Sequence, residues 1–396
     1  MSTAPSATPD PQTDAFLAGE GIPVPLARVE TELARLWGPA AEREGGPDLE
    51  NPNVTRLALA NLVVCDLTTD GARTRDLIQH VTRLYPCRLI VLRPAFTHDD
   101  ARHVTAEVSA LCHLPAPGLP QVCAERIVLR APHDALDLLP GSVRPLLETD
   151  LPLVLWWTGD PRPTGPLFRD LAAESSRLLI DLPDPASDPA LLDIALAAEV
   201  HPYGRDLSWF GITPWRELLA NLFDPPGRGD ALADLRHVRI ISAMPKPPDN
   251  DPSATDTPRV ALWLAAWLAG QLGWARRARL SCGPVPYGAV FDGTRGGLAI
   301  EFISRIDPNA RTPHLQSVRL DAGPAGQFEA SRSGGSSEVR LETRLSPAAS
   351  PLVQCVLAPE WDDARRLSAA LESARDDPPY RAALPHLRWL LGLEPA

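Results

Sequence analysis

The chain has 396 residues, with 38 basic against 50 acidic side chains for a net charge of −12, and 44 prolines. That length predicts two to three domains at about 150 residues each, and the 44% hydrophobic and 22% charged fractions exclude wholesale disorder, collagen-like repeats and a membrane-embedded bundle. The acidic balance opposes the counterion release that drives nucleic-acid affinity, so nucleic acid is excluded as a partner. Lys246 is the only lysine. It lies in a proline-rich stretch, which argues against a P-loop, a kinase lysine or a Schiff-base amine.

The first basic residue is Arg28, and the stretch before it is mostly small, polar and proline. That is unlike a signal peptide, so a cytoplasmic protein is expected. The longest apolar segment, Val260 to Trp274, is interrupted by Gln271 and two glycines and is too short to span a bilayer. Cysteines at 65, 87, 112, 123, 282 and 355 show no C-x-x-C spacing and read as reduced core thiols, with no disulfide framework.

Residues 1–22 lack apolar periodicity and are expected to form a disordered tail. Leu26, Val29, Leu33, Leu36 and Trp37 fall at helical spacing and predict the first helix. A long strand over Val54 to Asp66, a helix over Arg73 to Leu84 and a strand over Cys87 to Leu92 predict a β-α-β unit. Strands over His103 to Leu111 and Val122 to Arg130, then short helical pieces from Pro132 to Leu147, complete an N-terminal α+β domain, residues 23–148. Beyond 149 the runs Leu153 to Trp157, Arg177 to Asp181, His237 to Ser242 and Ala278 to Cys282 suggest parallel strands buried on both faces. Their intervening helices each open with proline: Pro166 to Glu174, Pro189 to Glu199, Pro214 to Phe223 and Pro258 to Leu272. Short alternating strands from Ala289 to Val356 predict an antiparallel extension, and helices over Trp361 to Ala374 and Pro378 to Leu391 close the chain. The expected class is therefore mixed α/β: an N-terminal α+β domain, then an α/β domain, 149–396, with parallel strands, an antiparallel extension and C-terminal helices.

Catalytic motifs are missing: the chain has no G-x-G-x-x-G, G-x-S-x-G or H-E-x-x-H. No catalytic residue and no cofactor are expected. His98, His103, Cys112, His113 and Cys123 match no common zinc spacing, so no metal site is expected. The acidic doublets at 99–100, 362–363 and 376–377 stand beside helix starts or turns and read as caps. Arg276, Arg277 and Arg279 follow a tryptophan-striped helix. They form a candidate anion site or, more simply, decorate the helix C-terminus. Trp156-Trp157-Thr158-Gly159-Asp160 ends a strand, where ligands bind in open α/β sheets. One of the two tryptophans is expected in the core and the other at a ligand or a neighbouring domain. Gly293, Gly296 and Gly297 read as a hairpin turn.

Four segments occur in a recognisable order. They are R-L-A-L-A-N-L-V-V-C-D (56–66), Y-P-C-R-L-I-V (85–91), S-V-R-P-L-L-E-T-D-L-P-L-V-L-W-W-T-G (142–159) and D-L-S-W-F-G-I-T-P-W-R-E-L-L (206–219). Together they resemble the OpcA family of glucose-6-phosphate dehydrogenase assembly proteins. The resemblance implies a non-catalytic factor that binds glucose-6-phosphate dehydrogenase, promotes its active oligomer, activates it allosterically and supports NADPH supply in the oxidative pentose phosphate pathway. Redox control through paired C-terminal cysteines, linked to some members, has only Cys355 here. The positions the resemblance carries over as partner-binding are Trp156, Trp157, Asp206, Trp209, Thr213, Pro214, Trp215 and Arg216, although Thr213-Pro214 also reads as a plain N-cap and N1 pair and the tryptophans as core. The alternative reading is a sugar-phosphate- or nucleotide-binding enzyme or sensor using the carboxyl end of the α/β sheet.

Overall fold

A computed structural model describes residues 11–41, 54–67, 71–95, 103–117, 119, 121–159, 165–182, 189–197, 201–246, 257–281, 286–333, 336–346, 348–373 and 376–394. The fold is mixed α/β, as the sequence patterns predict. The chain forms two compact units. The first runs to Asp181 and includes Ala197–Gly204; the second comprises Leu182–Leu196 and everything from Arg205 onward.

In the first unit the elements are α1 (Pro11–Leu17), β1 (Ile22–Val24), α2 (Val29–Ala41), β2 (Val54–Arg56), β3 (Asn61–Cys65), α3 (Ala72–Leu84), β4 (Arg88–Ala95), β5 (Thr105–His113), β6 (Gln121–Pro132), α4 (Leu139–Val143), β7 (Leu153–Trp157), α5 (Gly165–Glu174) and β8 (Arg177–Ile180). The sheet order is β1-β5-β6-β4-β3-β7-β8, with β2 also beside β6. Strands β6, β4, β3, β7 and β8 are parallel, whereas β5 and β1 are antiparallel additions. All five side chains of β3 and of β7 are buried, the pattern of strands covered on both faces.

Several expectations are corrected here. The tail is structured from Pro11, because Phe16 is fully buried edge-to-face on Trp37 and Ile22–Val24 adds to the sheet edge; residues 1–10 lie outside the described residues. The long strand over 54–66 is two strands, since β2 pairs with β6 while β3 moves over to lie between β4 and β7. The boundary expected at 148/149 falls inside one sheet: Leu153–Trp157 hydrogen-bonds alongside Asn61–Cys65, so β7 and β8 belong with the first unit. Cys112 and Cys123 form a disulfide. The β5–β6 hairpin sets the two residues directly opposite each other, a pairing that spacing alone could not reveal.

The second unit contains α6 (Pro189–Leu196), β9 (Gly204–Asp206, whose first residue belongs to the first unit), α7 (Leu207–Gly211), α8 (Thr213–Phe223), β10 (His237–Met244), α9 (Arg259–Leu272), β11 (Ala275–Leu280), β12 (Gly288–Gly293), β13 (Gly296–Ile306), β14 (His314–Asp321), β15 (Gln327–Arg332), β16 (Glu338–Arg344), β17 (Leu352–Leu357), α10 (Asp363–Glu372) and α11 (Pro378–Leu390). An eight-stranded sheet runs β11-β12-β13-β10-β14-β15-β16-β17. Only the β10–β13 pair is parallel. His237–Met244 and Ala275–Leu280 are thus not part of a parallel α/β sheet with Leu153–Trp157, as expected, but of this largely antiparallel one. The hairpin expected at the glycines forms, with Gly293 opposite Gly296 at the β12–β13 turn.

Helix α9 is buried almost all round, with Trp263 fully enclosed, and ends on Gly273 in the left-handed region (φ 64°), a conformation glycine adopts without strain. Gly270 lets α9 approach the backbone of α11, since a Cβ there would stand 2.7 Å from the Ala382 carbonyl oxygen.

Candidate functional site

The segment from Asp206 to Arg216 organises the second unit from within. Asp206 ends β9 and caps α7, its Oδ1 accepting from the Ser208 amide at 3.0 Å. Its Oδ2 accepts from Trp263 Nε1 at 2.8 Å and lies 3.1 Å from Arg259 Nε, so this buried carboxylate is both paired and hydrogen-bonded. Such pairing is what makes a buried charge tolerable. Arg259 in turn donates through Nη2 to the Leu182 carbonyl at 2.6 Å.

Trp209, fully buried, packs on Trp263 and Tyr380 with ring centroids 5.2 Å away in each case. Its Nε1 donates to Asp377 Oδ2 at 2.9 Å, and Asp377 Oδ1 accepts from the Tyr380 amide at 3.0 Å, capping α11. Two arginines sandwich this aromatic cluster: Arg216 lies 4.1 Å over Trp209 and Arg205 lies 4.3 Å over Tyr380. Burial raises the Tyr380 phenol well above its usual range, against the lowering influence of Arg205. Burial likewise lowers Arg216, with Asp377 and Glu217 acting in the opposite sense.

Of the carried-over residues, only Thr213 and Arg216 in this segment are partly open to solvent; Asp206, Trp209, Pro214 and Trp215 are buried. Thr213 is not the N-cap expected, because α8 already includes it and Ile212 holds the cap position. Its hydroxyl instead accepts from Arg216 Nη2 at 2.8 Å. Trp215 lies under Arg332, whose Cζ is 5.6 Å from the ring. Nearby, Glu360 stands 3.6 to 3.9 Å from His314, Arg332 and Arg366. That grouping was not legible in sequence, since it draws on four separate stretches of chain.

Trp156 and Trp157, in the first unit, are both fully buried, so neither projects to a ligand. Trp157 Nε1 donates to the Gly159 carbonyl at 2.6 Å and its ring meets Phe168 edge-on. Among the described residues the Trp156 indole nitrogen has no hydrogen-bond partner. Asp160 lies outside the described residues. The three arginines at 276, 277 and 279 stand on the edge strand β11 rather than on a helix terminus. Arg276 pairs with Glu394 at 3.0 Å, Arg277 with Asp292 at 3.3 Å, and Arg279 reaches the Leu390 carbonyl at 3.5 Å. Two of the three therefore already face carboxylates of their own. Of the sequence-level metal candidates, His98 is outside the described residues, Cys112 and Cys123 are joined in a disulfide, and among the described residues no group of three ligands assembles. The capping reading holds for the doublets at 362–363 and 376–377, through Asp362 and Asp377, while 99–100 lies outside the described residues.

The family profile described as glucose-6-phosphate dehydrogenase subunit N-terminal domain matches residues 78–195, and that of the corresponding C-terminal domain matches 202–384. The chain belongs to the OpcA family. Curated members of the OpcA family similar to it, each named "Putative OxPP cycle protein OpcA", include one from Synechococcus elongatus, 30% identical over 212 residues (52% of this chain, 44% of that protein), and one from Nostoc punctiforme, 34% identical over 193 residues (48% and 38%). The matched region thus spans less than half the length of these relatives. Solved structures similar to this OpcA-family chain include an oxidoreductase domain protein from Kribbella flavida (TM-score 0.46, 12% identity, covering 85% of this chain and 96% of that one). Another is a myo-inositol dehydrogenase from Lactobacillus casei (TM-score 0.40, 12% identity, covering 79% and 83%). At those TM-scores they carry no argument about function. Among the described residues no helix is long and apolar enough to cross a membrane.

Proposed function

We propose that this chain is a non-catalytic partner of glucose-6-phosphate dehydrogenase that promotes its active oligomer and activates it, in support of NADPH production. The observation that carries the reading is the pair of family profiles, both described as parts of a glucose-6-phosphate dehydrogenase subunit, which together cover most of the chain. The site agrees with a recognition role: the signature segment is a rigid aromatic scaffold that offers Arg216 and Thr213 at its partly open side, and arginine held by stacking is a common interface anchor. In this reading the buried tryptophans act by holding that surface in place.

The test is to follow NADPH formation by the dehydrogenase of the same cell with and without this chain, beside size-exclusion chromatography of the mixture. Higher activity with co-elution supports a resident activator, and higher activity without co-elution a transient assembly factor. No effect on rate or oligomer overturns the reading. Arg216→Lys keeps the charge but loses the planar fork, so it is expected to weaken activation while the chain stays folded. The alternative, a ligand-binding enzyme or sensor, looks to the carboxyl ends of β3, β4 and β7. There Arg93 is engaged by Asp66 at 2.8 Å and Arg73 by Asp181 at 2.7 Å, so both cations are already neutralised and this reading stands second.

A further inference from the structure

Arg332, the last residue of β15, is a buried cation with donors to spare. Its side chain is 3% exposed, and Nη2 donates to the Ala358 carbonyl at 2.5 Å. Nε and Nη1 are buried and, among the described residues, have no hydrogen-bond partner. A buried donor left unpaired is costly, and one that persists in a native protein calls for a reason, of which a bound ion is one.

The surroundings of Arg332 are cationic. Arg366 on α10 is also buried, with Nε donating to the Trp361 carbonyl at 2.9 Å and Nη1 3.6 Å from Asp363. His314 opens β14 and donates through Nδ1 to the Thr312 carbonyl at 3.1 Å. One carboxylate faces all three cations. Glu360 Oε1 lies 3.6 Å from His314 Nδ1 and 3.8 Å from Arg366 Nη2, while Oε2 lies 3.9 Å from Arg332 Nη1. Charge-assisted hydrogen bonds are about 2.7–2.9 Å long, so Glu360 offsets charge here without bonding to any of the three. It is also the outermost of the four, its side chain 36% exposed against 13% for His314 and 10% for Arg366.

The signature segment holds the two arginines in place. Trp215 lies under Arg332, and a Cβ on Gly211 would stand 2.9 Å from Arg366 Nε, so the glycine leaves room for that guanidinium. Burial lowers the pKa of Arg332, with Glu360 acting in the opposite sense, as for a charge that its counter-ion compensates only in part.

We propose that Arg332, Arg366 and His314 form a binding site for a phosphoryl group, with Glu360 as the counter-ion that it displaces. The number of oxygens favours phosphoryl over another carboxylate. Glu360 has two oxygens to share among three cations, whereas a terminal phosphoryl group brings three and carries about −1.5 to −2 at pH 7. The guanidinium fork matches such oxygens in pairs. Burial of Arg332 behind Glu360 favours a small ligand over the surface of another protein. Inorganic phosphate and a phosphate monoester offer the same group, and the experiment separates them.

Isothermal titration calorimetry on the purified chain, with no dehydrogenase present, compares inorganic phosphate with methyl phosphate at matched ionic strength. Its outcome is therefore independent of the assembly reading. One saturable site per chain is expected. Binding of methyl phosphate as tight as that of inorganic phosphate assigns the site to a monoester, and binding of inorganic phosphate alone assigns it to the free ion. Glu360→Gln, at an exposed position, removes the competing charge and is expected to tighten binding several-fold. Arg366→Gln, with folding checked by circular dichroism, is expected to weaken it about tenfold or more. No binding of either probe by the wild type and by Glu360→Gln overturns the proposal. So does affinity unchanged in folded Arg366→Gln, or a Glu360→Gln protein that loses stability in urea without gaining affinity, the behaviour of a purely structural ion cluster.

Discussion

Asp377 accepts the indole N–H of Trp209 at 2.9 Å across 168 residues of sequence, while its other carboxylate oxygen caps α11. One side chain thereby ties the start of the closing helix to the signature segment. Asp377→Ala removes the cap, worth about 1 kcal/mol, and strands a buried indole donor, worth about 1–3 kcal/mol. The expected outcome is a loss of roughly 2–4 kcal/mol in urea unfolding if the two terms simply add. A loss below about half a kcal/mol, the usual range for surface substitutions, would show that the tie is not formed in solution.

The adjacent tryptophans of β7 differ in one respect that substitution can read. Trp157 donates to Gly159 at 2.6 Å, whereas the Trp156 nitrogen is buried with no partner among the described residues. Phenylalanine removes similar volume from both, but only at Trp157 does it leave an acceptor without its donor. Trp157→Phe is expected to destabilise more than Trp156→Phe by about 1 kcal/mol, measured by thermal or urea unfolding of the two variants side by side.

Glu125 is buried beside Arg56 and Arg88 and accepts from Trp37 Nε1 at 2.6 Å. Desolvation is the larger influence and raises its carboxyl above the ordinary range, with Arg88, Arg56 and Trp37 acting to lower it. The folded state therefore holds this proton more tightly than the unfolded state does. Its contribution is fully present below the unfolded pKa and is lost as pH rises through the folded one. The stability of the wild type minus that of Glu125→Gln is expected to fall with increasing pH over that interval. Urea unfolding across a pH series checks it, and a difference that rises with pH contradicts it.

The Cys112–Cys123 disulfide closes a short loop, with 11 residues of sequence separation. Loop-closure entropy assigns such a crosslink about 3 kcal/mol. Reductant, or the double substitution Cys112→Ser with Cys123→Ser, is expected to lower the stability of the oxidised protein by up to that amount. Reductant is expected to leave the unfolding curve of the doubly substituted protein unchanged. Cys87, buried with its thiol pushed up to about 12, and Cys65, raised by burial with the neighbouring Asp66 carboxylate acting in the same sense, are expected to resist alkylation in the folded state.

Most helices and strands were legible because their signals are local. The stripe of Leu33, Leu36 and Trp37, the proline that opens α8 and the aspartate that caps α11 each act within a turn or two of chain. The fully apolar run of β7 announced burial on both faces in the same way. Phe16 escaped notice because a seven-residue helix offers too short a window for periodicity, and only its contact with Trp37 gives it a place in the core.

What sequence by itself determined is the kind of element most segments form and, through four motif segments, the family to which the chain belongs. Only the tertiary structure decided which strands share a sheet, why β7 lies beside β3 rather than with β10, which arginines already have carboxylate partners, and that the signature tryptophans face inward. Periodicity is set by backbone geometry repeating every two or 3.6 residues and is readable in a short window. Strand partnership and side-chain pairing depend on segments brought together by burial from far apart in the chain, and no short window contains both partners.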